Sequence, residues 1–152
     1  MHRYKDISIS ALWTLAFVFY TSTSYSQIKW GKAGSEKDKY MMGVDSSLKH
    51  DNKEVMTISS INSEINGFGT FMSNFSPEKY IGKRIKMSGF VKSKDVANSA
   101  GLWLRVDQNG SEQFLSFDNM SDRPIVGTTD WKKYDIVLDV PNNASNLSLI
   151  HI

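Results

Sequence analysis

The amino-acid sequence predicts an all-β protein built as an antiparallel β-sandwich, and three observations lead there. Short runs in which apolar and polar side chains alternate recur along the chain, the clearest being Leu102-Trp103-Leu104-Arg105-Val106-Asp107. Gly, Asn, Asp and Pro separate the runs, and these residues either turn a chain or cannot extend a sheet ladder. Beyond residue 26 no segment sustains a helical period and no internal repeat is visible, which leaves short paired strands as the building unit.

Taken in order, the chain opens with Arg3 and Lys5, continues through an apolar run from Ile7 to Tyr20 diluted by serine and threonine, and reaches small residues at Ser24 and Ser26. This is the layout of a secretory signal peptide. The apolar run falls short of the roughly 20 residues a membrane-spanning helix needs. The expectation is therefore cleavage after Ser26 and a single domain over residues 27–152. That product would be exported to the periplasm or the outside of the cell, with no membrane anchor once the leader is removed. Cysteine is absent, which excludes a lipid-modified cysteine, a disulfide framework and any thiolate metal site, so the domain must be held by its core alone.

Charge separates few function classes. The full chain carries 18 Lys+Arg against 16 Asp+Glu, and losing Arg3, Lys5 and Asp6 with the leader leaves 16 against 15. Such a balance lacks the concentrated basic stripe of a nucleic-acid-binding domain, so no direct nucleic-acid partner is expected. Lys29, Lys32, Lys37 and Lys39 interleave with Glu36 and Asp38 and read as a solvated lead-in that includes Trp30.

The first strand is expected around Tyr40 to Val44, followed by a polar turn over Ser46 to Lys53 and a second strand from Glu54 to Ile61. Asn62 to Gly69 reads as a loop and Phe68 to Phe75 as a strand stopped by Pro77. Ser76-Pro77-Glu78-Lys79-Tyr80 has a capping serine and a proline at the first helical position, which predicts one short helical turn ended by Gly82. Arg84 to Lys94 is a strand with Ile85, Met87, Gly89 and Val91 on one face, and Asp95 to Ser99 is a loop. In the central strand Leu102, Leu104 and Val106 share one face while Trp103, Arg105 and Asp107 share the other. Gln108 to Ser111 turns the chain, Glu112 to Phe117 returns, and Asp118 to Pro124 forms a polar loop. Gly127-Thr128-Thr129-Asp130 reads as a further turn. Tyr134, Ile136, Leu138 and Val140 then alternate with Asp135, Val137 and Asp139 until Pro141 ends the run. After a turn over Asn142 to Asn146, Leu147 to Ile152 begins another strand.

The strings AGLWLRVD, FDNMSDRPIVGTTDWKKYDIVLDVP and GFGTFMSNFSPEKYIGKRIKMSGFVKSKDV together resemble a bacterial family of galactose-binding-domain-like, jelly-roll β-sandwiches. Members of that family stand alone behind signal peptides or are joined to AraC-type helix-turn-helix transcriptional regulators. The likeness runs from Trp30 to the C-terminus and implies a jelly-roll topology. It also implies that the strand begun at Leu147 would continue through a glycine-containing turn into a final strand, which is not in this sequence. The resulting expectation is a sandwich lacking its last strand, with an exposed ladder edge open to self-association.

For chemistry, the histidines are His2, His50 and His151, none arranged with a nucleophile and a carboxylate. No nucleophile elbow, phosphate-binding glycine loop or metal-binding His-Glu-x-x-His helix occurs. The sequence therefore gives no support for an enzyme and none for a cofactor. Asp107, Asp118, Asp122 and Asp139 are candidates for paired carboxylates, but loop aspartates more commonly accept backbone N–H bonds. Asp118, Asn119 and Asp122 offer oxygens without calcium-loop spacing, so no metal site is expected.

A binding face is better supported. Trp103, Arg105 and Asp107 at two-residue intervals set an aromatic platform beside a fork of donors and an acceptor, which suits the C–H face and hydroxyls of a sugar. With the polar loop residues Asp118, Asn119 and Arg123 they form the candidate ligand-binding set. The competing readings are that the second sheet covers Trp103, that Arg105 pairs with Asp107 or Asp118, that Trp131 seals the core and that Arg123 anchors its own loop. The expected function is a secreted, non-catalytic module with a carbohydrate or similar polar ligand as partner. The alternative is a ligand-sensing or interaction domain related to transcriptional regulators, without DNA-binding helices of its own.

Overall fold

The structure is a computed structural model that describes residues 5–7, 29–61 and 64–151, with side chains described over 29–61 and 64–149. The signal-peptide reading of residues 1–26 lies outside the described residues apart from Lys5–Ile7. Among the described residues ten strands follow one another: β1 (Lys5–Ile7), β2 (Gly31–Ala33), β3 (Tyr40–His50), β4 (Lys53–Ser60), β5 (Thr70–Phe75), β6 (Lys83–Ala100), β7 (Leu102–Asp107), β8 (Phe114–Asp118), β9 (Ile125–Val140) and β10 (Asn146–His151). They form a five-stranded sheet in the order β2-β5-β10-β7-β8, a three-stranded sheet in the order β1-β6-β9, and a separate β3–β4 hairpin. The pairings are antiparallel except β1 with β6, which is parallel. The expected all-β antiparallel sandwich is what forms.

The core lies where the inner faces of the two larger sheets meet. Ile85, Met87 and Val91 of β6 and Ile125, Ile136 and Val140 of β9 come from one side. Leu102, Leu104 and Val106 of β7 and Leu147 and Leu149 of β10 come from the other, while Met120 and Ala144 fill in from connections. Period-two alternation decides which residues these are: β7 reads buried, half-buried, buried along its whole length. Burying one apolar face of each sheet fixes strand register, because a one-residue slip would turn every core side chain outward.

Three segments read as reversals or loops are strand. The polar stretch from Ser46 continues β3 as far as His50, with a register shift between Asp45 and Lys49. Asp45 Oδ1 holds this bulge by accepting from the Ser47 backbone N–H at 2.9 Å and the Ser47 hydroxyl at 2.6 Å. The true reversal is confined to Asp51 and Asn52, both left-handed at φ 49° and 63°. Asp95 to Ser99 and Gly127 to Asp130 likewise belong to the long β6–β9 ladder, which shifts register between Val91 and Ser93, Ser93 and Val96, and Val96 and Ala100. Asp95 at φ 53° and Gly127 at φ 71° absorb the extra residues. A bulge needs the same backbone conformations as a turn, so residue type alone could not separate them.

The other connections follow the sequence. Tyr80 N–H and Ile81 N–H both donate to the Pro77 carbonyl, at 2.7 and 3.1 Å, and Ser76 Oγ accepts from Glu78 N–H, giving the expected turn, and a 3-10 turn at Lys37–Lys39 precedes β3. The lead-in is less exposed than its charges suggest: Trp30 stacks on Phe71 with ring centroids 5.7 Å apart and packs against the core. The C-terminal strand β10 lies inside its sheet, paired to β5 on one edge and β7 on the other, while β2 and β8 are the sheet's edge strands.

Candidate ligand-binding face

Because Leu104 and Val106 are committed to the core, Trp103, Arg105 and Asp107 emerge on the outer face of the five-stranded sheet. The second sheet therefore does not cover Trp103. The neighbouring strands obey the same rule. Leu147 and Leu149 point inward, so Asn146 and Ser148 of β10 share the outer face, and Asn74 of β5 joins them. Register sets Arg105 opposite Ser148, Ser148 opposite Asn74, and Asp107 opposite Asn146.

These side chains form one hydrogen-bonded row across three strands. Arg105 Nε donates to Asp107 Oδ1 at 2.6 Å. Asn146 Nδ2 lies 3.5 Å from Asp107 Oδ2, 3.0 Å from Ser148 Oγ and 3.3 Å from Asn74 Oδ1. Ser148 Oγ donates to Asn74 Oδ1 at 2.7 Å. An aromatic strip runs beside the row. Trp103 meets Phe117 edge to face at 5.4 Å and Phe68 at 5.8 Å, and Phe117 meets Phe114 at 5.0 Å. Phe68 and Phe114 are exposed, and Arg105 and Asp107 are 37% and 19% exposed at their side chains. A partly open surface with apolar rings on one side and fixed donors and acceptors on the other can hold a polar molecule that has an apolar face.

The remaining candidates gather elsewhere. Asp118 pairs in register with core-facing Leu104, so it lies on the opposite side of the sheet from Trp103. Its Oδ1 accepts from Met120 N–H at 2.8 Å and its Oδ2 from Arg123 Nη2 at 2.6 Å. Arg123 Nη1 reaches Asp122 at 2.6 Å, and Nη2 also approaches the Asp135 carbonyl at 3.4 Å. The hydrogen bond it donates to Asp118, aided by Asp122, holds the Arg123 guanidinium even more firmly protonated than usual, against a smaller opposing effect of burial. Asn119 Oδ1 accepts from Ser121 N–H at 3.1 Å. Asp118, Asn119 and Arg123 thus close their own loop and set the left-handed Met120 as a core plug. The six predicted site residues divide into two groups. Among the described residues, no cluster of three or more His, Asp or Glu side chains is arranged to hold a metal ion.

A second aromatic group lies on the outer face of the β6–β9 sheet. The His50 ring is 4.8 Å from Phe90 and 4.6 Å from Trp131, so Trp131 serves the hairpin contact and not the core. His50 Nδ1 is 3.5 Å from Asp51 Oδ2, within ion-pair reach but without a hydrogen-bonding alignment. Beside it, the Asp130 carboxyl is held below the usual range, first by the hydrogen bond from Lys92 and then by Trp131 N–H.

Alternation within one strand marks Trp103, Arg105 and Asp107 in the sequence, but nothing local marks Asn74, Asn146, Ser148, Phe68, Phe114 and Phe117 as their neighbours. Local alternation in Leu147-Ser148-Leu149 signals an outward Ser148. No local signal says that β10 inserts between β5 and β7.

Fold and face together define an all-β antiparallel sandwich with a polar and aromatic outer sheet face. In sequence the chain is similar to the uncharacterized HTH-type transcriptional regulator YbfP of Bacillus subtilis (strain 168), at 42% identity over 120 residues. The match covers 78% of this chain and 40% of that protein, so the chain spans less than half the length of its relative. No protein-family model matches the chain, and no solved structure matches it.

Proposed function

We propose that this chain is a non-catalytic binding module that takes a polar ligand, a saccharide in the first instance, on the outer face of the five-stranded sheet. The observation that carries the reading is the row Asn74–Ser148–Asn146–Asp107–Arg105 lying beside the Trp103–Phe117 ring pair. Catalysis by paired carboxylates is disfavoured because Asp107 and Asp118 face opposite sides of the sheet and Asp118 is committed to its loop. The test is a glycan array with the whole chain beside Trp103→Ala, folding of both checked by circular dichroism. Saturable binding lost in the folded variant supports the module. Absence of binding by folded wild-type protein removes the saccharide reading.

A second reading, favoured by the relative, makes the same sandwich the ligand-sensing or interaction part of a helix-turn-helix regulator. A match over 120 of 152 residues takes in most of the strands, and the described residues contain no helix-turn-helix of their own. The mass of the protein purified from its native cell separates the two settings. Loss of residues 1–26 supports the exported module and removes β1 from the edge of β6, whereas their retention supports an intracellular sensor.

A further inference from the structure

We propose that the Arg105–Asp107 pair is the receptor for a vicinal diol of a neutral saccharide, an inference that rests on reading the outer sheet face as a binding face. Arg105 spends only Nε on Asp107, and no described residue accepts from its two terminal nitrogens. A guanidinium fork with those nitrogens free is shaped for two adjacent oxygens. Vicinal hydroxyls, a carboxylate and a phosphate all present such a pair, so charge decides among them.

The charge of Arg105 is already matched by Asp107 at 2.6 Å, and the other members of the row, Asn74, Asn146 and Ser148, are neutral. An anion would gain no net attraction here and would meet the Asp107 carboxylate. A diol places its two oxygens on the fork with no charge to oppose, and its O–H groups need acceptors. Asp107 Oδ2 supplies one, since its contact to Asn146 is long at 3.5 Å. Trp103, two residues along the same strand, stands about 7 Å away, close to the span of one pyranose ring. The ring's C–H face then rests on the aromatic strip while one edge engages the ion pair.

The experiment titrates the full chain, wild type, Arg105→Lys and Trp103→Ala, with methyl glycosides of glucose, galactose and mannose, their monodeoxy analogues and the corresponding uronates, by calorimetry. The lysine variant keeps the charge and loses the fork. The expected result is binding of at least one neutral glycoside, weakened tenfold or more by Arg105→Lys and by removing either hydroxyl of one vicinal pair. Equal affinity in Arg105→Lys, or a uronate bound more tightly than its neutral parent and lost in Trp103→Ala, overturns the diol receptor and leaves the binding face standing. No binding of any probe by folded protein overturns both.

Discussion

Arg105 and Asp107 lie two residues apart on one face of β7 and are joined by a single short hydrogen bond, Nε to Oδ1 at 2.6 Å. Their nearness follows from strand period alone. The pair is part-exposed, so its contribution to folding is expected in the range of about 0–1 kcal/mol. Asp107→Asn should therefore shift the urea midpoint only slightly while weakening ligand binding. A loss of several kcal/mol would instead mark the pair as a structural support.

The core tells the opposite story. Leu104 and Ile136 are fully buried and belong to the same apolar cluster. Leu104→Ala or Ile136→Ala should each destabilise by about 2–5 kcal/mol in equilibrium denaturation, through lost burial and the cavity left behind.

Gly127 carries a left-handed backbone at φ 71°, and a side chain added there would meet nothing within 4 Å. Substitution thus isolates the conformational term. Gly127→Ala should cost about 1–2 kcal/mol, and Gly127→Asn less, because asparagine tolerates that region. Equal stability of all three proteins would show that the bulge relaxes without the left-handed residue.

Two carboxyls outside the core fix the direction of a pH effect. Asp45 is held below the ordinary range chiefly by the Ser47 hydroxyl and backbone, and Asp130 chiefly by Lys92. A folded-state value below the unfolded one adds stability above the unfolded value of about 3.9, and that stability disappears as pH falls through the lowered folded value. Melting curves of wild type and Asp130→Asn should differ by a small margin at pH 7, with wild type higher, and converge as the solution is acidified below about pH 4.

Much of the fold was legible because strand alternation is local: the buried and exposed faces of β7 and β9 can be read from Leu102–Asp107 and Tyr134–Val140. The bulges at Asp95 and Gly127 were not, since positive-φ residues serve turns and bulges alike. Half of the site was legible for the same reason. Trp103, Arg105 and Asp107 share a strand, whereas Asn74 meets Ser148 only through pairing of segments 74 residues apart. Arg123 illustrates the reverse case: counted with the ligand-binding residues, it anchors its own loop through Asp118 and Asp122, the competing reading that its place before Pro124 offered.

The most direct test of the binding face is nuclear magnetic resonance mapping of the full chain with methyl glycosides of glucose, galactose and mannose. Saturable shifts are expected at the Trp103 indole, Arg105 Nε and the side-chain amides of Asn74 and Asn146, with the amides of Phe90 and Trp131 on the opposite sheet unchanged. Shifts confined to Phe90 and Trp131, or none on the Trp103 face with any of the three sugars, would contradict the binding face.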